Sequence, residues 1–124
     1  MRDPINRYLD AAILKPEMTR EETAKAIHTC VAFNTITACV RPCDIPLARS
    51  ICAGTDTGIC VVLGFPHGCG LTGSKVDEAG RYVELGVHEI DMVANIGWIR
   101  SHDWLAVTDD IAAVSAVTRA ADIP

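Results

Sequence analysis

Short apolar, β-branched runs alternate along this chain with longer stretches in which apolar residues return at helical spacing. The first pattern predicts strands and the second amphipathic helices. Tyr8 to Leu14 reads as a first strand with Asp10 inside it, ended by Lys15-Pro16. Thr19-Arg20-Glu21-Glu22 is a capping box, and Ala24, Ile27 and Val31 follow on one face, so a first helix is expected from about 20 to 33. Arg20, Glu21 and Lys25 fall on its solvated side. Thr35 to Val40 predicts a second strand, broken by Arg41-Pro42. Asp44 is placed to cap the helix that follows, whose inward face is Leu47, Ala48, Ile51 and Cys52, and Gly54 closes it where a positive φ is needed.

Gly58 to Leu63 is almost wholly apolar, as in a parallel strand covered on both faces. A glycine-rich loop, Gly64-Phe65-Pro66-His67-Gly68-Cys69-Gly70, comes next. Ser74-Lys75-Val76-Asp77 opens a third helix with Val76, Ala79 and Val83 inward and Gly86 as its terminator. A fourth strand is expected over 88–94, then a turn or short helix from Asn95 to Arg100. Asp103 caps a last helix whose Val107, Ile111, Val114 and Thr118 share a face and which ends near Ala120. Ala121-Asp122-Ile123-Pro124 reads as the approach to another strand.

Four β/α units in strict alternation predict an α/β fold with parallel strands, right-handed crossovers and helices outside. A small doubly wound sheet and half of an eight-stranded barrel both satisfy this order. Each puts function at the carboxyl ends of the strands, which points to Lys15, Arg41 to Asp44, the Gly64 to Gly70 loop, and Asp91 to Asn95. Asp91 is the oddest of these. Strands disfavour Asp, and an unpaired buried charge is costly, so the residue either caps a loop, pairs with a buried lysine, or has a chemical task.

Composition narrows the picture. With 124 residues the chain is expected to form a single domain over 1–124. Sixteen acidic against 11 basic side chains give a net charge of -5, which excludes a general binder of phosphate backbones and so a nucleic-acid partner. No apolar run reaches membrane-spanning length, and Met1 to Arg7 lacks the apolar core of a secretion signal, so a cytoplasmic protein without a membrane partner is expected. The six cysteines, mostly within apolar runs, read as reduced packing residues. The sharper alternative is zinc, held by Cys39, Cys43, Cys52 or Cys60 with His28 or His67, but no CxxC pair supports it.

Taken together, Leu14-Lys15-Pro16-Glu17, Gly64-Phe65-Pro66-His67-Gly68 and Glu89-Ile90-Asp91-Met92-Val93-Ala94-Asn95 resemble the deoxyribose-phosphate aldolase family in order and spacing. Thr72-x-x-Lys75-x-x-Glu78 is similar as well, and the resemblance runs from Leu9 to about Val117. It implies the N-terminal half of a TIM (β/α)8 barrel and an incomplete aldolase domain. The implied activity is reversible retroaldol cleavage of 2-deoxy-D-ribose 5-phosphate to acetaldehyde and glyceraldehyde 3-phosphate. The resemblance implies a class I lyase working through a lysine Schiff base, with no metal or organic cofactor and a small phosphorylated sugar as partner.

Asp91 matches the family's catalytic aspartate, for which a buried, pKa-tuned carboxylate that relays protons is expected. Asp10 matches the acidic residue of the strand-one motif and Cys39 a cysteine lining the pocket, and both are expected to contact substrate. Two departures stand out. Ala11-Ala12 replace the family's His-Thr or Thr-Thr pair, and the chain stops where strand five would begin, so the imine-forming lysine, the second lysine and the phosphate loops have no counterpart. Of the three lysines present, Lys25 is on an exposed face and Lys75 opens a helix; only Lys15, at the end of strand one, is placed to stand in, and the resemblance assigns the imine to a lysine elsewhere. The isolated chain is therefore expected to be inactive, and to self-associate through an open sheet edge. The alternative is a non-catalytic half-barrel that dimerises and binds a small metabolite.

Overall fold

The four apolar runs form one parallel sheet in which strands follow one another in chain order: β1 (Asp10–Ile13), β2 (Thr37–Val40), β3 (Gly58–Leu63) and β4 (Glu89–Met92). The structure is a computed structural model that describes residues 3–124. Between strands run α1 (Arg20–Ala32), α2 (Ile45–Cys52) and α3 (Thr72–Glu84), and after β4 come the short α4 (Ile96–Arg100) and α5 (Trp104–Ala120). A doubly wound sheet reverses its strand order at a switch point. This order never reverses, and it is the order of half a (β/α)8 barrel.

Side chains alternate across the sheet and divide it into two faces. Ala38, Val40, Ile59, Val61, Leu63 and Ile90 turn toward the helices, where they meet Ile27, Ile45, Ala48, Ala79, Tyr82 and Val114 in one buried core. Burying each large aliphatic side chain there contributes on the order of 1.5–3 kcal/mol. The capping box forms as expected: the Thr19 hydroxyl accepts from the Glu22 amide at 3.2 Å, and the Glu22 carboxylate accepts from the Thr19 amide at 2.8 Å.

Several boundaries move for identifiable reasons. β1 starts at Asp10, because Ile5–Tyr8 form a 3-10 turn whose side chains bind loops at the amino end of the sheet. Asn6 donates to the carbonyls of Phe33 and Asn34, and Arg7 to those of Thr35 and Asp56. β2 starts at Thr37, since the Thr35 hydroxyl folds back onto local carbonyls. α3 starts at Thr72, two residues earlier than its polar opening suggested, and the Leu71 carbonyl accepts from the Lys75 amide. Asp44 does not cap α2, because its carboxylate is taken by Arg41 at 2.6 Å. On α5, Ile111 is 42% exposed and Asp110 is turned inward instead, drawn by a buried cation described below.

β4 is shorter than the predicted 88–94, although His88 and Val93 extend the backbone ladder to Ile59 and Leu63. Its outer side is partly paired: the Ile90 amide donates to the carbonyl of Pro124 at 3.1 Å. The final residues therefore lie where a fifth strand would add. Among the described residues, no helix is long and apolar enough to cross a membrane.

Candidate active site

The face of the sheet turned away from the helices carries Asp10 on β1, Cys39 on β2, Cys60 and Val62 on β3, and Asp91 on β4, with Leu14 beside them. Cys39 and Cys60 are direct cross-strand partners. In a flat sheet β1 and β4 would stand about 14 Å apart, at about 4.8 Å per strand. Here one side-chain oxygen from each of Asp10 and Asp91, and the sulfurs of Cys39 and Cys60, all lie within 4.8 Å of one another. The sheet is thus strongly curved, with these four groups at the focus of its concave face.

Crowding sets their electrostatics. Asp91 is held above the ordinary aspartate range, first by desolvation, then by the negative charge of Asp10 and a hydrogen bond with it; a hydrogen bond with Cys60 acts the other way. Glu89 is raised too, by burial and by the charges of Asp10 and Asp91. The Cys60 thiol is pushed up, first by its hydrogen bond with Cys39 and then by burial. The Thr37 hydroxyl donates to Asp10 and fixes that carboxylate. Asp91 itself is exposed on the open face rather than buried as the sequence suggested, because nothing among the described residues covers it. A carboxyl that keeps its proton to higher pH, beside a second carboxylate, can both give and take a proton.

The rim is built by two cations that are fully engaged. Arg41 binds Asp44 and donates to the carbonyls of Lys15 and Pro16 at 3.0 and 3.1 Å, tying the loop after β1 to the end of β2. Lys75, with a side chain 2% exposed, donates to the Asp110 carboxylate at 2.6 Å, the Gly68 carbonyl at 2.8 Å and the Val93 carbonyl at 3.2 Å. Thr72 donates to the other Asp110 oxygen at 2.7 Å. This knot locks the loop after β3 onto the end of β4. Gly68 is needed there: its φ is +67°, and a Cβ would fall 2.3 Å from the Ala94 carbonyl oxygen. Between the loops lies a hollow of about 290 Å³, lined by Leu14, Pro16, Arg41, Val62, Phe65 and Pro66, which opens beside the cysteine layer.

The three site residues chosen from the sequence, Asp10, Cys39 and Asp91, are brought together. Cys60 and Glu89 were not placed in this pocket: the first read as packing or as a zinc ligand beside histidine, and the second as part of a motif. The signal was available in the alternation of inward positions, once the strands were set side by side in order. Lys15 and Lys25 are exposed, and Lys75 is held as a buried cation by Asp110, the opposite of the neutral amine an imine requires. The zinc ligand sets built on histidine do not assemble. His28 and His67 lie exposed outside the cluster, Cys52 is in the helix-side core, and Cys43 is exposed.

No family model matches the chain. Curated relatives do. The chain is 40% identical over 108 residues to the deoxyribose-phosphate aldolase of Mannheimia succiniciproducens, covering 87% of this chain and 48% of that protein. It is 38% identical over 117 residues to the deoxyribose-phosphate aldolase of Histophilus somni, covering 94% and 52%. Among solved structures, the aldolase QR15 superposes with a TM-score of 0.85 at 29% identity, over 93% of this chain and 51% of its own. The tetrameric deoxyribose phosphate aldolase of Aeropyrum pernix shares the fold alone, with a TM-score of 0.79 at 23% identity over 95% and 48%. The chain spans about half the length of the curated relatives it matches. In sequence and in fold it is similar to one half of a deoxyribose-phosphate aldolase.

Proposed function

We propose that this chain supplies the proton-handling half of a class I aldolase that cleaves 2-deoxy-D-ribose 5-phosphate reversibly to acetaldehyde and glyceraldehyde 3-phosphate. Asp91 relays protons, Asp10 holds it in a shared hydrogen bond, and Cys39 lines the pocket. The imine-forming lysine lies outside residues 1–124, so the chain alone is inactive, and residues 1–124 act as one incomplete aldolase domain. The observation that carries the reading is the convergence of Asp10 and Asp91 from opposite ends of the sheet, with Asp91 raised toward the range in which a general acid and base works.

The open concave face also speaks for a closing partner. Two copies of this face would bring together twice the carboxylates of Asp10, Glu89 and Asp91, a repulsion that disfavours a symmetric barrel. A complementary half bearing lysines suits the charge better. The test is borohydride trapping with acetaldehyde. The 124-residue chain should remain unmodified, whereas the chain joined to the complementary half of a relative should gain one stable adduct. An adduct on Lys15 or Lys75 of the chain alone would overturn the assignment.

A further inference from the structure

We propose that Asp10, Cys39, Cys60 and Asp91 form a binding site for a thiophilic divalent metal ion, zinc above all. Two thiols and two carboxylates offer one donor each, and the four donor atoms already lie within 4.8 Å of one another. Zinc bonds of about 2.0–2.3 Å require tetrahedron edges of about 3.3–3.8 Å, so side-chain rotation of about an ångström brings the donors into position. The sulfurs are fixed by the backbone, since Cys39 and Cys60 face each other on paired strands, and the carboxylates approach from the flanking strands.

Donor chemistry selects the metal. Thiolate ligands favour zinc and its soft neighbours, while calcium and magnesium call for an all-oxygen shell. Local charge favours a cation as well. Among the described residues the ion pairs are Arg41–Asp44 and Lys75–Asp110, neither of them on this face, so the carboxylates at its centre have no side-chain cation. The ion has a route in, because Asp91 is exposed on the open side while both thiols lie beneath. On binding, each thiol gives up its proton to solvent as its metal–sulfur bond forms.

This binding does not depend on the aldolase reading. Its consequence does: a metal held by Asp91 would occupy the proton relay and inhibit the joined enzyme, relieved by a chelator. The two can therefore fail separately.

The test uses the full chain, reduced and freed of metal, with zinc in competition with a chromophoric chelator and cobalt as a spectroscopic probe. One zinc per chain is expected, and a thiolate-to-cobalt charge-transfer band in the near ultraviolet. The isosteric Asp10→Asn and Asp91→Asn variants should each weaken zinc about tenfold or more, and Cys60→Ser, which leaves Cys39 as the single thiolate, should lower the cobalt band to about half or less. Should Cys60→Ser fail to fold, zinc protection of Cys39 and Cys60 from alkylation in the unaltered chain, read by peptide mass, replaces it. The double variant Cys43→Ser/Cys69→Ser, which alters the two exposed thiols, should bind zinc unchanged. No zinc binding, zinc binding without the cobalt band, unchanged affinity in both Asp variants, or loss of binding in the Cys43/Cys69 variant would each overturn the proposal.

Discussion

The two faces of this sheet solve opposite problems. On the convex face, helices cover every strand, and the buried charge pair Lys75–Asp110 is matched by further hydrogen bonds on both partners. On the concave face, carboxyls from β1 and β4 are gathered without a cation, and two of them are held above their ordinary range. Stability is concentrated on the first face, and the proposed chemistry belongs to the second. A fold made for stability alone would not gather like charges at the focus of its curvature.

Breaking the convex side should produce the larger effects. Lys75→Met leaves Asp110 buried without its partner and should destabilise the chain by about 3–5 kcal/mol, measured by urea unfolding. The double variant Lys75→Met/Asp110→Leu should recover most of that loss, and a double variant no better than the single would refute the pairing account. Removing the Thr19 cap from α1 should cost about 1 kcal/mol, read from the shift in denaturation midpoint of Thr19→Ala.

The concave side should respond in the other direction. Asp91 and Glu89 titrate higher in the folded chain than their ordinary 3.8 and 4.5. Below those values both states are protonated and nothing is lost. As pH rises, the unfolded chain ionises first, so stability falls until the folded carboxyls ionise too. Asp91→Asn should therefore stabilise the chain at neutral pH and flatten the decline that sets in above about pH 4. A variant less stable than the parent at pH 7, with the decline intact, would contradict the crowding of the carboxyls.

Much of this was legible in the sequence, and what was not has a physical cause. The apolar run Gly58–Leu63 and the capping box at Thr19 gave their elements closely, because burial on both faces and paired cap hydrogen bonds are local signals. The resemblance to the aldolase family named Asp91, Asp10 and Cys39. Cys60 was not joined to these because its neighbours are all apolar, and its place beside Cys39 follows from the cross-strand register, which a single strand does not reveal. Asp110 was invisible for a related reason. Its helix reads as an apolar stripe through Ile111, and the pull on Asp110 comes from Lys75, which is 35 residues away in the chain. The exposure of Asp91 was not foreseen, since it depends on what covers the concave face.

The central claim is that Asp91 moves protons for a lysine supplied from elsewhere. The most direct measurement is single-turnover retroaldol cleavage by the chain joined to the complementary half of a relative, with and without Asp91→Asn, alongside borohydride trapping of the imine. The account predicts that the variant still forms the trapped adduct while cleavage falls by about 100-fold or more. Unchanged cleavage in Asp91→Asn, with the imine formed, would contradict it.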